Sequence, residues 1–424
     1  MGKDLTIGPN LSIEVNMKRR DFLKYTSLFT AGSLYPNVFA QNTLPGIKGI
    51  QGRRLILVEL KGGNDGLNTL VPFKNEDYKR VRKNLYLGAK DVNPIDKQLG
   101  LGLNKNLKFL TSQFKSKDLA VFHSVGYDNP NKSHFRSIDI WHTAVESNET
   151  STQGWISKAL ESNIGNDAAS KGIILGDSNL GPLRGTHQKI LVVDNLKQML
   201  RSQKLFNEPD LDGNRALQHI LSVEGQVLEQ LKSLDGKVDF EKSKDRGLKK
   251  NVNTLLQLVK ADPKIPFYKL THGGFDTHIN QKQKHGNLLK TFDEGMKALV
   301  DGLKELGQYE NTLILTYSEF GRRPMENGSG GTDHGTANCH FAMGGKVKGK
   351  IYHGADGKGN GGKKGLGGYD LASIKSTNEN LKHKMDFKSI YQTVLDKWWG
   401  LTDLDGPIPM KNSNGVKLID FLKV

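Results

Sequence analysis

The chain has 424 residues, a formal charge of +16 and one cysteine, Cys339, so it carries no disulfide framework and must draw its stability from a packed core. After residue 40 no apolar run reaches the roughly 18 residues of a membrane helix, which excludes a transmembrane segment in the mature chain. The lysines are scattered and no basic tract with interleaved aromatics appears, so nucleic acid is not an expected partner, whereas an anionic small molecule or a glycan or lipid ester is.

In chain order, residues 1–40 read as an export signal. Lys18-Arg19-Arg20-Asp21-Phe22-Leu23-Lys24 is a twin-arginine pattern, a small-residue apolar stretch follows from Tyr25, and Val38-Phe39-Ala40 has the form of a signal-peptidase site. Met17 stands directly before the basic pair and is the expected true start. The expected partner is the twin-arginine export machinery, and the expected location is the periplasm or beyond. The signal region holds five Lys/Arg and three Asp/Glu, so the mature part keeps +14.

Arg54-Leu55-Ile56-Leu57-Val58-Glu59-Leu60 reads as a buried strand closed by Lys61-Gly62-Gly63-Asn64-Asp65-Gly66. The same pattern recurs at Leu119–His123, Ile173–Leu175, Ile190–Val193, Pro266–Leu270 and Thr312–Thr316. Helical patterns lie between these runs, at about 136–146, 196–203, 213–234, 244–260, 279–307 and 386–399. Alternating strands and helices predict an α/β fold with a mainly parallel central sheet sandwiched by helices, residues 41–424 forming a single domain. Charged helical sequence at about 205–262 predicts a helical insertion, and Gly354–Gly368 a surface loop. In such a sheet, binding residues gather beyond the carboxyl ends of the strands.

Four loops there concentrate ligand-type side chains. The first carries Asn64 and Asp65, where an Asx turn is the competing reading. The second, Asn129 to Ser137, sets Ser133 at a helix start beside His134 and Arg136, as a nucleophile with an anion-binding corner or as a plain N-cap. The third is the densest: His272, Asp276, His278 and His285. Asp276 and His278 are two apart and can converge on one metal, while His278 and His285, seven apart, would share a helix face, one of them as a core or capping histidine. The fourth brings Glu319 and Arg322, then Asp333 and His334 after a Gly-rich stretch.

The twin-arginine start and the motifs K-G-G-N-D-G-L-N-T-L-V-P-F, H-S-V-G-Y, S-H-F-R-S-I-D-I-W-H-T-A, T-H-G-G-F-D-T-H and S-E-F-G-R-R-P-M-E-N-G-S-G-G-T-D-H-G-T-A-N resemble the domain-of-unknown-function 1501 family, which is placed in the alkaline phosphatase/sulfatase-like superfamily. The resemblance implies an alkaline phosphatase-like fold and a divalent metal: zinc, manganese, iron or calcium. It implies metal roles for Asp65, Asp276, His278, Glu319 and His334, and a catalytic group of Ser133, His134 and Arg136. Asn64, His272, His285, Arg322 and Asp333 are secondary candidates. Where the superfamily has an Asp-His pair for a second metal, this chain has Glu319-Phe320, so that site loses a ligand. Ser133 in S-H-F-R lacks the Cys/Ser-x-Pro-x-Arg motif of sulfatases, which argues against formylglycine chemistry. The implied activity is metal-dependent hydrolysis or transfer at a phosphate or sulfate ester; the alternative is an inactive exported binding or assembly protein for an anionic polymer or a partner protein.

Overall fold

Strand β1 (Arg54–Leu60) is buried along its whole length, which is why it reads as a near-continuous apolar run. It pairs in parallel with β8 (Phe267–His272) on one side and β9 (Thr312–Tyr317) on the other. The computed structural model describes residues 52–163, 170–186, 189–203, 245–353, 369–401 and 417–424. Within these, β2 (Leu70–Val71), β3 (Val92–Asp96) and β4 (Leu101–Asn104) make a small antiparallel sheet. The main sheet adds β5 (Leu119–Gly126), β6 (Gly172–Leu175), β7 (Ile190–Val193), β10 (Asn338–Met343), β11 (Ile351–His353) and β12 (Met385–Asp386). Its order is β11-β5-β10-β9-β1-β8-β6-β7, with β12 also on β5.

Alternate residues of β1 serve the two faces, as a strand's period of two requires. Ile56, Val58 and Leu60 face helices α1 (Lys108–Lys115), α4 (Leu196–Gln203), α5 (Gly247–Ala261) and α6 (Gln281–Glu305). Leu55 and Leu57 face α2 (His134–Thr143), α3 (Trp155–Asn163) and α7 (Phe387–Thr393), with Trp398 and Trp399 buried in the same cluster as core anchors. The sandwich expected from the alternating pattern is therefore present, and no helix among the described residues is long and apolar enough to cross a membrane.

Three features depart from expectation. β10 runs antiparallel to both of its neighbours, β5 and β9, so the sheet is mixed. Its sequence, Asn-Cys-His-Phe-Ala-Met, hides the strand because polar residues interrupt the apolar run. The C-terminal part of the expected insertion is α5, whose Leu248, Val252, Leu255 and Leu258 pack into the core, so it is a layer helix of the sandwich. The rest of that insertion (204–244), the expected helix 213–234, the loop 354–368 and the signal region 1–40 lie outside the described residues.

Candidate metal centre

Strands β5, β1, β8 and β9 all end at one edge of the sheet, and the loops that leave them meet there. Because β10 returns antiparallel, the segment 318–337 leaves and re-enters the sheet at that same edge. Asp276, after β8, is the centre of the meeting point. Its Oδ1 lies 3.1 Å from His278 Nε2 and 3.3 Å from His334 Nε2, and its Oδ2 lies 3.5 Å from His134 Nε2. His278 Nε2 and His334 Nε2 are 3.0 Å apart. Ligand atoms of His134, Asp276 and His334 lie within 4.8 Å of one another.

The other ring nitrogen of each histidine is held from behind. His334 Nδ1 donates to the Lys132 carbonyl at 2.8 Å, His134 Nδ1 meets Glu319 Oε1 at 2.8 Å, and His278 Nδ1 meets Asp333 Oδ1 at 3.3 Å. A carbonyl or carboxylate only accepts, so in the neutral rings the proton sits on Nδ1 and the Nε2 lone pair faces Asp276. Two such lone pairs 3.0 Å apart repel unless a metal ion, or a proton on one of the rings, lies between them. Two donors each about 2.0–2.1 Å from one tetrahedral ion are separated by about 3.3 Å, the scale of the spacings here. The residues present therefore fit a metal, and three imidazoles with one carboxylate suit zinc, manganese or iron better than calcium, which takes oxygen ligands.

The surroundings shift the protonation of these same residues. The Glu319 hydrogen bond raises the pKa of His134 above its ordinary value, and burial lowers that of His334. Burial alone would raise the Asp276 pKa, but the hydrogen bond and charge of Arg322, followed by His278 and His134, hold it below the usual carboxylate range.

Arg322 is sealed in the protein and ties the loops together. Its guanidinium donates to the carbonyls of Gly62, Gly63 (2.8 Å), Phe275 (3.1 Å) and Thr332 (2.9 Å), and to Asp276 Oδ1 at 2.6 Å. It thus braces the loops and fixes the Asp276 carboxylate at the same time. Gly62 lets two of these loops touch: with φ +117°, a Cβ there would stand 2.4 Å from the Asp276 nitrogen.

Other expected site residues are placed by what their side chains touch. Glu319 is buried with its oxygens on the Gly62 N–H (2.9 and 3.1 Å) and on His134 Nδ1, so it fixes the orientation of that ring. Asp65 is 1% exposed and forms a two-pronged ion pair with Arg82, at 2.6 and 3.0 Å, while Gln281 donates to the same carboxylate. Burial works against its charge and the guanidinium more than compensates, so its pKa lies below the ordinary value. Arg136 is turned to Asp139 (2.6 Å) and to the carbonyls of Ser147 and Glu149, away from the centre.

The remaining candidates divide in the same way. Asn64 is buried among Ser318, Asn338, Thr69 and His285. His285 donates to Asn64, and burial pushes its pKa down to about 4; helix α6 begins only at Gln281, after Asn280 in the left-handed region, so His278 and His285 share no helix face. His272 is a core histidine on the Leu288 carbonyl. Asp333 supports His278, and it also accepts from Asn327 and pairs with Arg323 at 3.8 Å. Ser133 is the exposed N-cap of α2, next to His134, and its hydroxyl makes no capping hydrogen bond. Phe320 lies against the rings of His134 and His334, with centroids 4.9 and 4.6 Å away. Arg82, Asn327 and the Lys132 carbonyl are contributors that residue-type reading did not single out, while Gln281 belongs to the dense third loop.

A family model described as "Protein of unknown function (DUF1501)" matches residues 143–409. No curated protein matches the chain. Solved structures similar to it include the C-terminal periplasmic domain of EcEptC from Escherichia coli in complex with Zn, at 10% identity and TM-score 0.40, with 84% of this chain and 87% of that one covered. A sulfatase, PsFucS1 from Pseudoalteromonas sp., is 14% identical over 83% of this chain and 68% of its own, with TM-score 0.36. A protein in the alkaline phosphatase superfamily from Vibrio parahaemolyticus is 9% identical over 72% and 63%, with TM-score 0.34. With its motifs and more than half of its length matched, the chain belongs to the DUF1501 family.

Proposed function

We propose that the protein is an exported, metal-dependent hydrolase or transferase acting on a phosphate or sulfate ester of an anionic small molecule, glycan or lipid. One observation carries the reading: the Nε2 atoms of His278, His334 and His134 each come within 3.5 Å of an Asp276 carboxylate oxygen, and Ser133, the residue before His134, is an exposed N-cap whose hydroxyl makes no capping bond. Asp276, His278, His334 and His134 would hold the ion. A bound divalent cation supplies Lewis acidity and lowers the pKa of a nearby hydroxyl or water.

The chain's own groups do the rest. Ser133, or a water in its place, stands at the N-terminus of the ten-residue helix α2, where the first N–H groups and the helix dipole favour an anion. Arg322 keeps Asp276 aimed, and Glu319 and Lys132 keep two imidazoles turned inward. Export by the twin-arginine route, which carries folded proteins, allows a metal to be taken up before the protein leaves the cytoplasm.

The test is elemental analysis of the full chain purified without chelator, followed by a screen of phosphate and sulfate esters. We expect bound zinc, manganese or iron, lost in Asp276→Ala, and turnover of at least one ester class that is lost with it. A metal-free protein under every loading condition would sink this reading and leave the binding or assembly role.

A further inference from the structure

Resting on the metal reading above, we propose that the centre takes a single cation and that buried guanidiniums occupy the positions where a second would be needed. The two carboxylates that a second ion would require, Asp65 and Glu319, are both fully engaged. Asp65 Oδ1 receives Arg82 Nη2 at 3.0 Å, and Oδ2 receives Arg82 Nη1 at 2.6 Å as well as Gln281 Nε2. Arg82 is itself 0% exposed and is fixed by the carbonyls of Arg323 (3.0 Å) and Pro324. Glu319 Oε1 holds His134 and the Gly62 N–H, and Oε2 shares the same N–H, with the Ser318 hydroxyl 3.3 Å away and given to the Leu60 carbonyl at 2.7 Å. Phe320 offers only an apolar ring beside them.

Asp276 makes the same point from the other side. Its Oδ1, which faces His278 and His334, also carries Arg322 Nη2 at 2.6 Å, so a guanidinium already supplies a further positive charge on this carboxylate. The planar fork of arginine serves Asp276 and four loop carbonyls at once, which a lysine ammonium cannot do. Arg322 is a positioning residue: it acts on the ion through Asp276.

The experiment titrates metal-free full-length protein with Zn2+ and, separately, Mn2+, by calorimetry and elemental analysis. One ion per chain is expected. Two ions per chain would overturn the single-cation proposal while leaving the metal reading intact; none would overturn both. The double variant Asp65→Leu/Arg82→Met should keep one ion, with Kd within about two-fold, because a buried ion pair can be replaced by apolar side chains. Loss of the ion there would make Asp65 a ligand and overturn the proposal; should that variant fail to fold, the wild-type stoichiometry still decides. Arg322→Lys should weaken Kd at least ten-fold. A lowered Tm with unchanged Kd would reduce Arg322 to a structural brace and overturn its positioning role.

Discussion

His278 Nε2 faces His334 Nε2 across 3.0 Å, each ring turned inward by an acceptor behind its Nδ1. These two residues come from different loops, after β8 and after β9, so the contact measures how closely the edge of the sheet gathers its donors.

Removing the acceptors should loosen the ion without removing a ligand. Glu319→Gln is expected to weaken metal affinity by about 10–100-fold, the usual cost of losing the group that orients a ligating histidine. Competition with a chromogenic chelator reads it directly, and an affinity equal to wild type would refute the orienting role.

Metal affinity should fall in acid. His134 has a raised pKa, so it takes up a proton earlier than an ordinary histidine as the pH drops, and only its neutral form ligates. Kd measured from pH 8 to pH 5 should rise steadily, with Glu319→Gln moving the onset to lower pH because the proton-stabilising partner is gone. A pH-independent Kd would contradict this.

Arg82→Ala should destabilise the fold by about 3–5 kcal/mol, because it leaves Asp65 charged, buried and unpaired. The urea midpoint reports the loss, and Asp65→Leu/Arg82→Met should recover most of it. A single variant as stable as wild type would mean that the pair is not buried in solution.

Stability should also drop between neutral and mildly acid pH. Burial lowers the pKa of His285 to about 4 and that of His340 to about 3. Both lie below the ordinary value of about 6.5, so the unfolded chain binds protons first. The contribution is complete above about pH 7 and is lost as the pH falls toward these values, by at most roughly 1.4 kcal/mol per pH unit for each histidine. His340→Leu, at a site where both ring nitrogens lack a hydrogen bond, should flatten the slope of urea midpoint against pH. An unchanged slope would rule His340 out as a contributor.

Ser133→Ala should leave stability within about 0.5 kcal/mol, since the hydroxyl makes no capping bond, while abolishing turnover if the serine attacks. Retained turnover would assign the attack to water.

What could be read in advance follows from what each residue depends on. β1, β8 and β9 were legible because strands buried on both faces are runs of apolar residues closed by Gly, Ser or Asp. Asp276, His278 and His334 stood out because ligand types are dense there. The roles of Glu319 and Asp65 were not legible, since they depend on partners remote in sequence: His134 lies 185 residues before Glu319, and Arg82 belongs to a polar helical stretch with no mark of its own. Arg136 was misplaced because its direction is set by the phase of α2 and by the nearby Asp139. The Lys132 carbonyl is backbone and carries no residue-type signal at all.

The pairing of β1 bears on the order of events during synthesis. Leu55 finds its neighbours in Phe267 and Leu313, so β1, the first strand among the described residues, stays without lateral partners until more than half of the chain has been made. Contacts of such long range close late and slowly. Until β8 has emerged, an apolar β1 lacks either of its strand partners and is open to chaperones or stray chains. The ligand loops, which hang from these same strands, can assemble only after that, so the ion should be acquired by a finished polypeptide and not by a nascent one.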